Sequence, residues 1–524
     1  MKFKNLYITI APVLFSILPV LSLFNQNRGY YEPDVLLWPL LISAGSALAI
    51  TGIFSLLTKS ISKASLICSI ISVIFFTYGT IVNLIEGVYF RFGSVEIGAN
   101  KIIFSAEILL IAAVVLIVIR SKFNFQKLTA FLLVSSTVSV LLPLYPITVQ
   151  ATQQNRDKSN ISGEMRQKPI NGQKPDIYYI ILDGFARKDI FQDRYGSTDT
   201  VLVPFLKEKG FFIAERSTSN YCQTVLSLAS SLNYDYLDNL TKNAGTHSND
   251  IRPLRNLIWN NRMFSFLDKL GYTTVSFATG YWPTNIKSTD LWLSSRWSMD
   301  DFSNGVLSLT PIPALLKKIQ FDQFDLQRKR ILYTFDQLSR LSTHSGHPFF
   351  VFAHILAPHP PFVFNSDGSK PVQKGPFSFL ERGYTVDGYR ALYKKQYDFI
   401  SRKTRDMVKS ILENSPEPPV IIIQSDHGPG SVLSFEEIEK TDVPERMSIL
   451  NAVYAPEQCT TWAEMSPVNT FRVILNGLFH TDLQLLEHKS YFSTWSKPYR
   501  FIDVTEKVGK DSSESNLLTD EDRQ

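Results

Sequence analysis

Cysteine is scarce in this sequence, and no segment repeats. Three cysteines occur among 524 residues, Cys68, Cys222 and Cys459, and none stands in a CxxC or mixed Cys/His spacing, which excludes zinc-finger folds. Cys68 lies in an apolar run. Cys222 and Cys459 could pair in an exported protein, but two cysteines cannot establish a disulfide, so we predict buried free thiols.

A surplus of charge of one sign is also absent. The formal net charge is +5, and no basic stripe with interleaved aromatic residues occurs, so nothing favours a nucleic-acid partner. The hydrophobic fraction of 44 % hides a division of the chain. Residues 1–148 consist mostly of long apolar runs, whereas residues 149–524 have the composition of a water-soluble globular protein. This length allows two or three domains.

Apolar segments in the first 148 residues are long enough to cross a bilayer as helices, which takes roughly 20 residues each. There are five such segments, at 5–25, 35–57, 64–86, 102–120 and 127–147. Lys2 and Lys4 precede the first segment as in a signal peptide, but no convincing small-residue cleavage site follows. We therefore predict a retained anchor and a helical transmembrane bundle of about five spans.

Basic residues in the short loops predict the orientation of this bundle. One side would carry Lys2, Lys4, Lys59, Lys63, Arg120, Lys122 and Lys127, and the other side only Arg28, Arg91 and Lys101. The first side is then cytoplasmic, and five crossings place the chain after residue 148 outside, in the periplasm or on the outer face of a single-membrane cell. The alternative is four spans with one interfacial helix, which would leave that part inside.

Polar segments divide the rest of the chain. Residues 149–174 lack apolar periodicity and are predicted to link the transmembrane domain, 1–148, to a catalytic domain at 175–507. The tail 508–524 is charged and contains several serines, a composition typical of disordered segments.

Short apolar runs in the soluble part are typical of buried strands. They lie at 177–182, 273–278, 349–353 and 420–424, and the clearest amphipathic stretch between them is 388–414. Strands that alternate with helices predict an α/β sandwich with a largely parallel central sheet. Ligands of such sheets bind beyond the carboxyl ends of the strands.

Polar residues stand directly after two of these strands. Asp183 follows the first, with Gly184 allowing a tight turn, and Asp426 and His427 follow the last, before a Gly-Pro-Gly turn. An aspartate oxygen together with a histidine nitrogen suits zinc or manganese. A helix cap or turn aspartate and a surface histidine are the structural alternatives.

Three further features carry candidate site residues. Residues 217–231 place several hydroxyls before an apolar stretch with helical spacing, where a hydroxyl either lies in a phosphate- or sulfate-binding helix terminus or only caps the helix. His354 and His359 could bind a metal, contact a phosphoryl oxygen or protonate a leaving group, or could be structural. Trp282 follows another strand and is a candidate substrate contact or a core residue.

These motifs resemble those of the sulfatase-like, or alkaline-phosphatase, superfamily. LDGF (182–185), the hydroxyl-led helix, HILAPHPPF (354–362) and QSDHG (424–428) occur in the order and spacing of that superfamily. The segment SPVNTFRVILN (466–476) is similar to its late element before the last helix. Apolar spans followed by such a domain resemble the lipoteichoic acid synthases and the lipid A phosphoethanolamine transferases. The resemblance covers about residues 175–480 and implies an alkaline-phosphatase-like fold.

The resemblance also implies a set of site residues. Asp183, Asp426 and His427 would bind one or two divalent metal ions, with zinc or manganese favoured over magnesium or calcium. Thr224 would be a further metal ligand and the nucleophile, and His359 would protonate the leaving group. Other residues with an expected role are His354, Asn220 and Trp282 as substrate contacts, and Ser219, Asn220 or Tyr221 as alternative nucleophile positions.

The implied activity is a metal-dependent transfer of a phospho-head group, of the phosphoethanolamine or phosphoglycerol type, through a covalent threonine intermediate. The donor would be a membrane lipid and the acceptor an envelope glycan or lipid. A sulfatase-like phosphodiester or sulfate ester hydrolase and a non-catalytic relative are the alternatives. Formylglycine sulfatases need a C/S-x-P/A-x-R motif, and Cys222 is followed by Gln-Thr-Val-Leu, so a sulfatase of that kind is disfavoured.

Overall fold

The computed structural model describes residues 9–28, 31, 33–85, 89–92, 95–157, 174–295, 300–316, 322–343, 348–372 and 377–509. Most of the predicted linker (158–173), nearly all of the predicted tail (510–524), and Lys2 and Lys4 lie outside the described residues. The chain forms two compact units. The first comprises residues 1–163 and 299–322, and the second comprises residues 164–298 and 323–524.

The helices in chain order are α1 (Ile10–Gln26), α2 (Leu37–Thr58), α3 (Ile61–Leu84), α4 (Ala99–Arg120), α5 (Gln126–Asp157), α6 (Lys188–Tyr195), α7 (Leu202–Glu208), α8 (Thr224–Ser231), α9 (Asp238–Ala244), α10 (Arg252–Trp259), α11 (Arg262–Lys269), α12 (Asp301–Ser308), α13 (Ile312–Leu316), α14 (Gln323–Leu341), α15 (Val386–Asn414), α16 (Val443–Met447), α17 (Pro467–Phe479) and α18 (Thr505–Gly509). The strands are β1 (Tyr89–Phe92), β2 (Val95–Gly98), β3 (Ile177–Leu182), β4 (Phe212–Ile213), β5 (Thr273–Phe277), β6 (Leu291–Leu293), β7 (Phe349–Ile355), β8 (Val420–Gln424), β9 (Asn451–Tyr454), β10 (Tyr491–Phe492) and β11 (Ile502–Asp503). Short 3₁₀ turns occur at Pro33–Leu36, Trp282–Thr284 and Ile438–Lys440.

The five predicted apolar segments correspond to α1–α5. Four of these helices, α2 to α5, are long and apolar enough to cross a membrane. The described part of α1 is shorter, at 17 residues, and packs against α2, α3 and α5. Helix α5 continues to Asp157, past the predicted end of the span at residue 147, because the following glutamines, alanine and arginine are compatible with a helix. The predicted membrane part is therefore a helical bundle.

A segment from the middle of the chain packs on this bundle within the first unit. Phe302 of α12 meets Phe24 of α1 edge to face, with ring centroids 6.0 Å apart. The backbone N–H of Gly79 in α3 donates to the carbonyl of Leu309 at 3.0 Å. Because Phe24 and Gly79 lie near the C-terminal ends of α1 and α3, both helix ends lie on the side of the bundle that residues 300–316 occupy.

The second unit is built on a seven-stranded sheet of order β4-β9-β8-β3-β7-β5-β6. Strands β8, β3, β7, β5 and β6 run parallel, whereas β9 is antiparallel to β8 and β4 is antiparallel to β9. In the register, Ile181 of β3 lies opposite both His354 of β7 and Gln424 of β8. The predicted α/β class with a largely parallel sheet is confirmed, and the ends of β3, β7 and β8 lie level with one another.

Both faces of the sheet are covered by helices. Alternate residues of β3 belong to two separate cores, with Tyr178, Ile180 and Leu182 on one side and Ile177, Tyr179 and Ile181 on the other. Helices α6, α7, α14 and α15 cover the first face, and α8, α10, α11 and α17 cover the second. Burial on both faces explains why β3 reads as an uninterrupted apolar run rather than an alternating one.

The approach of α12 to α3 generates the first prediction. A Cβ at Gly79 would overlap the backbone carbonyl oxygen of Ser308, whereas a Cβ at Gly45 of α2 would meet nothing within 4 Å. We expect Gly79→Ala to displace residues 300–316 from the bundle, although alanine favours a helix over glycine by about 1 kcal/mol. Faster maleimide labelling of a cysteine placed at the buried Val306 would report the displacement.

Gly45→Ala is the matched control, because it changes helix propensity in the same way without the overlap. We expect it to leave the labelling rate at position 306 unchanged. Equal labelling rates in the two alanine variants would contradict the packing described here.

Candidate functional site

The ends of β3 and β8 bring two aspartates together. Asp183 and Asp426 are 3 % and 1 % exposed. The backbone N–H of Asp183 donates to the carbonyl of Ile355 at 3.0 Å, and that of Gly184 donates to Oδ1 of Asp426 at 3.2 Å. Gly184 has φ +66°, in the left-handed region that glycine adopts without strain, which turns the chain at this point. Two carboxylates from separate strands are thereby held in one buried site.

His427 completes a three-residue cluster with these aspartates. One ligand atom from each of Asp183, Asp426 and His427 lies within 4.8 Å of the other two. The Nε2 atom of His427 is 3.3 Å from Oδ2 of Asp426 and 3.7 Å from Oδ1 of Asp183. Among the described residues this is the one group of at least three histidine, cysteine or acidic side chains that converge in this way.

The unpaired oxygen atoms of the cluster fit a metal ion. Oδ1 of Asp183 and Oδ2 of Asp426 are buried and accept no hydrogen bond from any described residue. Leaving such atoms unsatisfied in the interior is costly unless a cation binds them. Carboxylate oxygens with one imidazole nitrogen form a donor set suited to zinc or manganese. These residues can therefore hold a divalent metal.

The hydrogen bonds of His427 define a neutral imidazole with its lone pair on Nε2. Its Nδ1 lies 2.9 Å from the carbonyl oxygen of Gly428, which can only accept, so Nδ1 carries the proton. Its Nε2 lies 3.2 Å from Nη2 of Arg446, which can only donate. Burial and the Arg446 charge lower the pKa of His427, against the smaller opposing effect of the nearby carboxylates. A neutral imidazole is the form that binds metal.

Thr224 places its hydroxyl beside this nitrogen. It is the first residue of α8, and its Oγ1 is 3.1 Å from Nε2 of His427. Unlike the three buried residues of the cluster, Thr224 is partly exposed. Ser227, one turn later, donates to the carbonyl of Asp426 at 2.6 Å and ties α8 to the end of β8. The hydroxyl is thus accessible and adjacent to the candidate metal ligands.

His359 is held as an imidazolium. Its Nδ1 is 2.7 Å from the carbonyl oxygen of Pro360, and its Nε2 is 3.0 Å from Oε1 of Glu381. Both partners can only accept, so both ring nitrogens carry protons. Burial alone would lower the pKa of His359, but Asp183 and Glu381 raise it to about 9. His359 therefore has a proton to donate at neutral pH.

Glu381 and Arg446 form a buried ion pair at the same site. Nη1 of Arg446 is 2.5 Å from Oε1 of Glu381, and the two side chains are 2 % and 3 % exposed. Burial alone would raise the pKa of Glu381, but Arg446 and His359 hold it well below its usual range. Asp183 behaves similarly, since the nearby histidines, His359 first, lower its pKa against the effect of burial.

The remaining predicted site residues have other neighbours. Nε2 of His354 lies 3.2 Å from Oδ2 of Asp183, and its Nδ1 is 2.9 Å from the Thr284 hydroxyl, so His354 is part of the cluster's surroundings. The side-chain amide of Asn220 donates to the carbonyl of Lys489 at 2.8 Å and accepts from the Val468 N–H at 2.9 Å.

Trp282 is 1 % exposed and packs against the ring of Trp259. The hydroxyl of Ser219 contacts the Met447 sulfur, and the Tyr221 hydroxyl accepts from the Leu237 N–H. Of the hydroxyls proposed as nucleophile, that of Thr224 is the one that contacts His427.

Two residues of the site escaped the sequence analysis. Glu381 lies in a loop before α15 and follows no strand, and Arg446 lies in the short helix α16 within the segment VPERM. Neither position carries a motif or a spacing that relates it to Asp183 or Asp426. No signal in the sequence would have identified them.

The free cysteines do not take part in this chemistry. Cys222 and Cys459 are both buried and free, as predicted. Burial raises the pKa of both thiols. They are therefore packed as small apolar side chains rather than as nucleophiles.

No protein-family model and no curated protein matches the sequence. Several solved structures are similar to it. They include the C-terminal periplasmic domain of EptC from Escherichia coli in complex with zinc, at 12 % identity and TM-score 0.41, over 64 % of this chain and 96 % of that one. The phosphoethanolamine transferase EptA from Neisseria meningitidis matches at 11 % identity and TM-score 0.39, over 90 % of this chain and 95 % of that one.

The 2-O GAG sulfatase BT1596 matches at 14 % identity and TM-score 0.40, over 66 % of this chain and 76 % of that one. The names of these proteins fall within the groups that the motifs resemble. Sequence identities and TM-scores this low transfer neither an activity nor the role of a residue. An activity and residue roles for this chain therefore have to be supported by the contacts within its own site.

The donor set generates a metal-binding prediction. We expect the purified chain to bind about one zinc or manganese ion, and Asp426→Asn to lose most of that binding because one buried charged ligand is removed. Elemental analysis of bound metal after removal of free ions measures the difference. Asp199→Asn is the control, since Asp199 is also buried but accepts hydrogen bonds from the Leu202 and Val201 N–H groups. Equal metal content in the two variants would contradict the proposed ligand set.

The protonated state of His359 generates a pH prediction for the metal-free protein. The folded pKa of about 9 exceeds the ordinary value of 6.5. The stabilisation that this proton contributes is therefore complete below about pH 6.5 and lost as the pH rises through about 9. NMR titration of the His359 ring should show the raised pKa, and Glu381→Gln should lower it by removing a carboxylate. A pKa near 6.5 in the wild type would refute the imidazolium assignment.

Proposed function

We propose that this protein is a membrane-anchored phosphotransferase that moves a phospho-head group from a membrane lipid, of the phosphoethanolamine or phosphoglycerol type, to a hydroxyl of an envelope glycan or lipid. The observation that carries the proposal is the partly exposed Thr224 hydroxyl beside the buried cluster of Asp183, Asp426 and His427. A nucleophile next to unsatisfied carboxylate oxygens is an arrangement suited to metal-assisted displacement at phosphorus.

The metal would be held by Asp183, Asp426 and His427, with Thr224 as a further ligand. When bound, a divalent metal lowers the pKa of a coordinated hydroxyl and offsets charge on phosphoryl oxygens. Thr224 lies at the start of α8, whose N-cap residue makes no side-chain hydrogen bond. The positive end of the helix dipole at this position favours an anion. The residues of this chain thus supply both a nucleophile and an anion-binding environment.

In the first half-reaction, Thr224 gives up its hydroxyl proton to solvent and Oγ1 forms a bond to phosphorus. The bond from phosphorus to the diacylglycerol oxygen breaks on the opposite side. His359, which carries protons on both ring nitrogens, donates one to the leaving oxygen. In the second half-reaction an acceptor hydroxyl forms a bond to phosphorus and the bond from phosphorus to Oγ1 of Thr224 breaks. His359 takes the proton of the acceptor hydroxyl, and Thr224 regains a proton from solvent.

The membrane helices favour a lipid donor. A domain tethered to a bilayer meets head groups at high effective concentration and loses little translational freedom on binding them. Within the described residues, α1 packs among α2, α3 and α5 as a member of the bundle rather than as an isolated surface helix. This packing supports five crossings rather than four with one interfacial helix.

The segment 300–316 supports the proposed orientation. It packs near the C-terminal ends of α1 and α3. Lys59 and Lys122 lie in loops, and Lys63 and Lys127 lie in the first turns of α3 and α5, at the opposite helix ends. With the lysine-bearing side in the cytoplasm, residues 300–316 lie on the extracytoplasmic side. Because these residues interrupt the second unit in sequence, we infer that the catalytic unit is extracytoplasmic.

Replacement of Thr224 tests the proposed function. We expect Thr224→Ala to lose head-group transfer by several orders of magnitude, because the covalent route is removed. Wild-type protein quenched in acid during turnover of phosphatidylethanolamine or phosphatidylglycerol should carry the phospho-head group on Thr224, detectable by mass spectrometry of the peptide. Thr218→Ala is the control, since the Thr218 hydroxyl is buried nearby but contacts His488 and Ser490 instead of the cluster.

Full activity in Thr224→Ala would move the nucleophile elsewhere. Release of the head group into water without an added acceptor would identify a hydrolase rather than a transferase. Absence of any turnover in a metal-loaded wild type would favour a non-catalytic relative.

A further inference from the structure

We propose that Arg446 binds a non-bridging phosphoryl oxygen of the substrate, and that it becomes free to do so when a metal binds His427. The proposal rests on the phosphoryl-transfer function proposed above. It assigns a substrate-binding role to a residue that stands in no recognisable motif and that contacts the candidate metal site directly.

The guanidinium of Arg446 contacts four acceptors of the protein. Its Nε donates to the carbonyl of Cys222 at 2.8 Å, and its Nη1 donates to Glu381 at 2.5 Å and lies 3.4 Å from the carbonyl of Gly428. Its Nη2 is 3.2 Å from Nε2 of His427. The Nε and Nη1 groups thus have oxygen acceptors of the protein, whereas Nη2 relies on the histidine lone pair.

Arg446 and a bound metal would compete for the lone pair on Nε2 of His427. The Nδ1 of His427 is protonated, so Nε2 offers one lone pair, and a metal would take it. Nη2 of Arg446 would then be a buried, charged donor without its acceptor, in a side chain only 2 % exposed. Such a group is costly until a new acceptor arrives. A phosphoryl oxygen is an acceptor that arrives only with the substrate.

Thr224 and Arg446 both contact Nε2 of His427. Thr224 Oγ1 and Arg446 Nη2 lie 3.1 and 3.2 Å from the same His427 nitrogen. A phosphorus atom approached by Oγ1 of Thr224 can therefore place a non-bridging oxygen within hydrogen-bond reach of Nη2. Arginine binds such oxygens with planar, charge-assisted hydrogen bonds.

Several contacts fix the position of the Arg446 guanidinium. Glu381 and the carbonyl of Cys222 hold the guanidinium, and Trp495 lies alongside it with the ring centroid 5.7 Å from Cζ. Helix α16, which carries Arg446, is capped by Asp442, whose side chain accepts from the Glu445 N–H. A donor fixed in this way needs little reorganisation when charge develops on the phosphoryl group.

The test uses the full-length chain in detergent and inorganic phosphate as the probe, titrated by calorimetry into zinc-loaded and metal-free protein. We expect Arg446→Gln to bind zinc as tightly as the wild type or more tightly, because a competitor for the His427 lone pair is gone. We expect the same variant to bind phosphate at least about tenfold more weakly in the zinc-loaded state and to lower kcat by about 100-fold, as loss of one fixed donor does.

Arg472→Gln is the matched control. Arg472 is also a buried arginine, but it donates to the carbonyls of Tyr234 and Gln484 and contacts no residue of the cluster. Phosphate affinity should be unchanged in this variant. Arg446→Lys provides a second variant that keeps the charge should glutamine prevent folding. It should retain zinc but still bind phosphate more weakly, because an ammonium cannot reproduce the contacts of the planar guanidinium.

Zinc-loaded Arg446 variants that bind phosphate as tightly as the wild type would overturn the assignment. A merely structural role predicts parallel losses of zinc and phosphate binding, and that result would overturn it as well. Phosphate binding that depends on Arg446, without any phosphothreonine in the wild type, would refute the proposed function and leave the role of Arg446 intact. Phosphothreonine that forms equally well in Arg446→Gln would refute the role of Arg446 and leave the proposed function intact.

Discussion

Two aspartates at the ends of neighbouring parallel strands are held together in a buried site. Asp183 follows β3 and Asp426 follows β8, and the register of these strands leaves no choice about their proximity. Like charges so close in a medium of low dielectric constant repel strongly and lose their hydration. The neighbouring charged residues of the site stabilise this pair of buried carboxylates. A divalent cation would satisfy the carboxylate oxygens that accept no hydrogen bond from a described residue.

The surrounding charges are arranged in a definite order. His359 is an imidazolium between a carbonyl and Glu381, whereas His427 is neutral between a carbonyl and Arg446. The same residue type therefore takes two protonation states because its neighbours differ in being acceptors or donors. Glu381 joins the two halves, since it pairs with both His359 and Arg446. One histidine is thereby protonated on both ring nitrogens, and the other keeps a lone pair on Nε2.

Much of the fold followed from local pattern. The strands 177–182 and 420–424 and the amphipathic helix around 388–414 were predictable because apolar runs and helical periodicity are properties of contiguous residues. Asp183, Asp426 and His427 could be predicted as well, because a polar residue after a buried strand must lie at the edge of a parallel sheet. Glu381 and Arg446 could not, because a loop and a five-residue helix impose no register on the sheet.

The chain by itself determined which segments are apolar helices, which are buried strands, and which polar residues end those strands, because each of these depends on the order of neighbouring residues. Only the tertiary structure decided that Thr224, rather than Ser219 or Tyr221, presents its hydroxyl to His427. It also decided that residues 300–316 pack on the helical bundle. These outcomes depend on contacts between residues far apart in the sequence, and no local periodicity encodes such contacts.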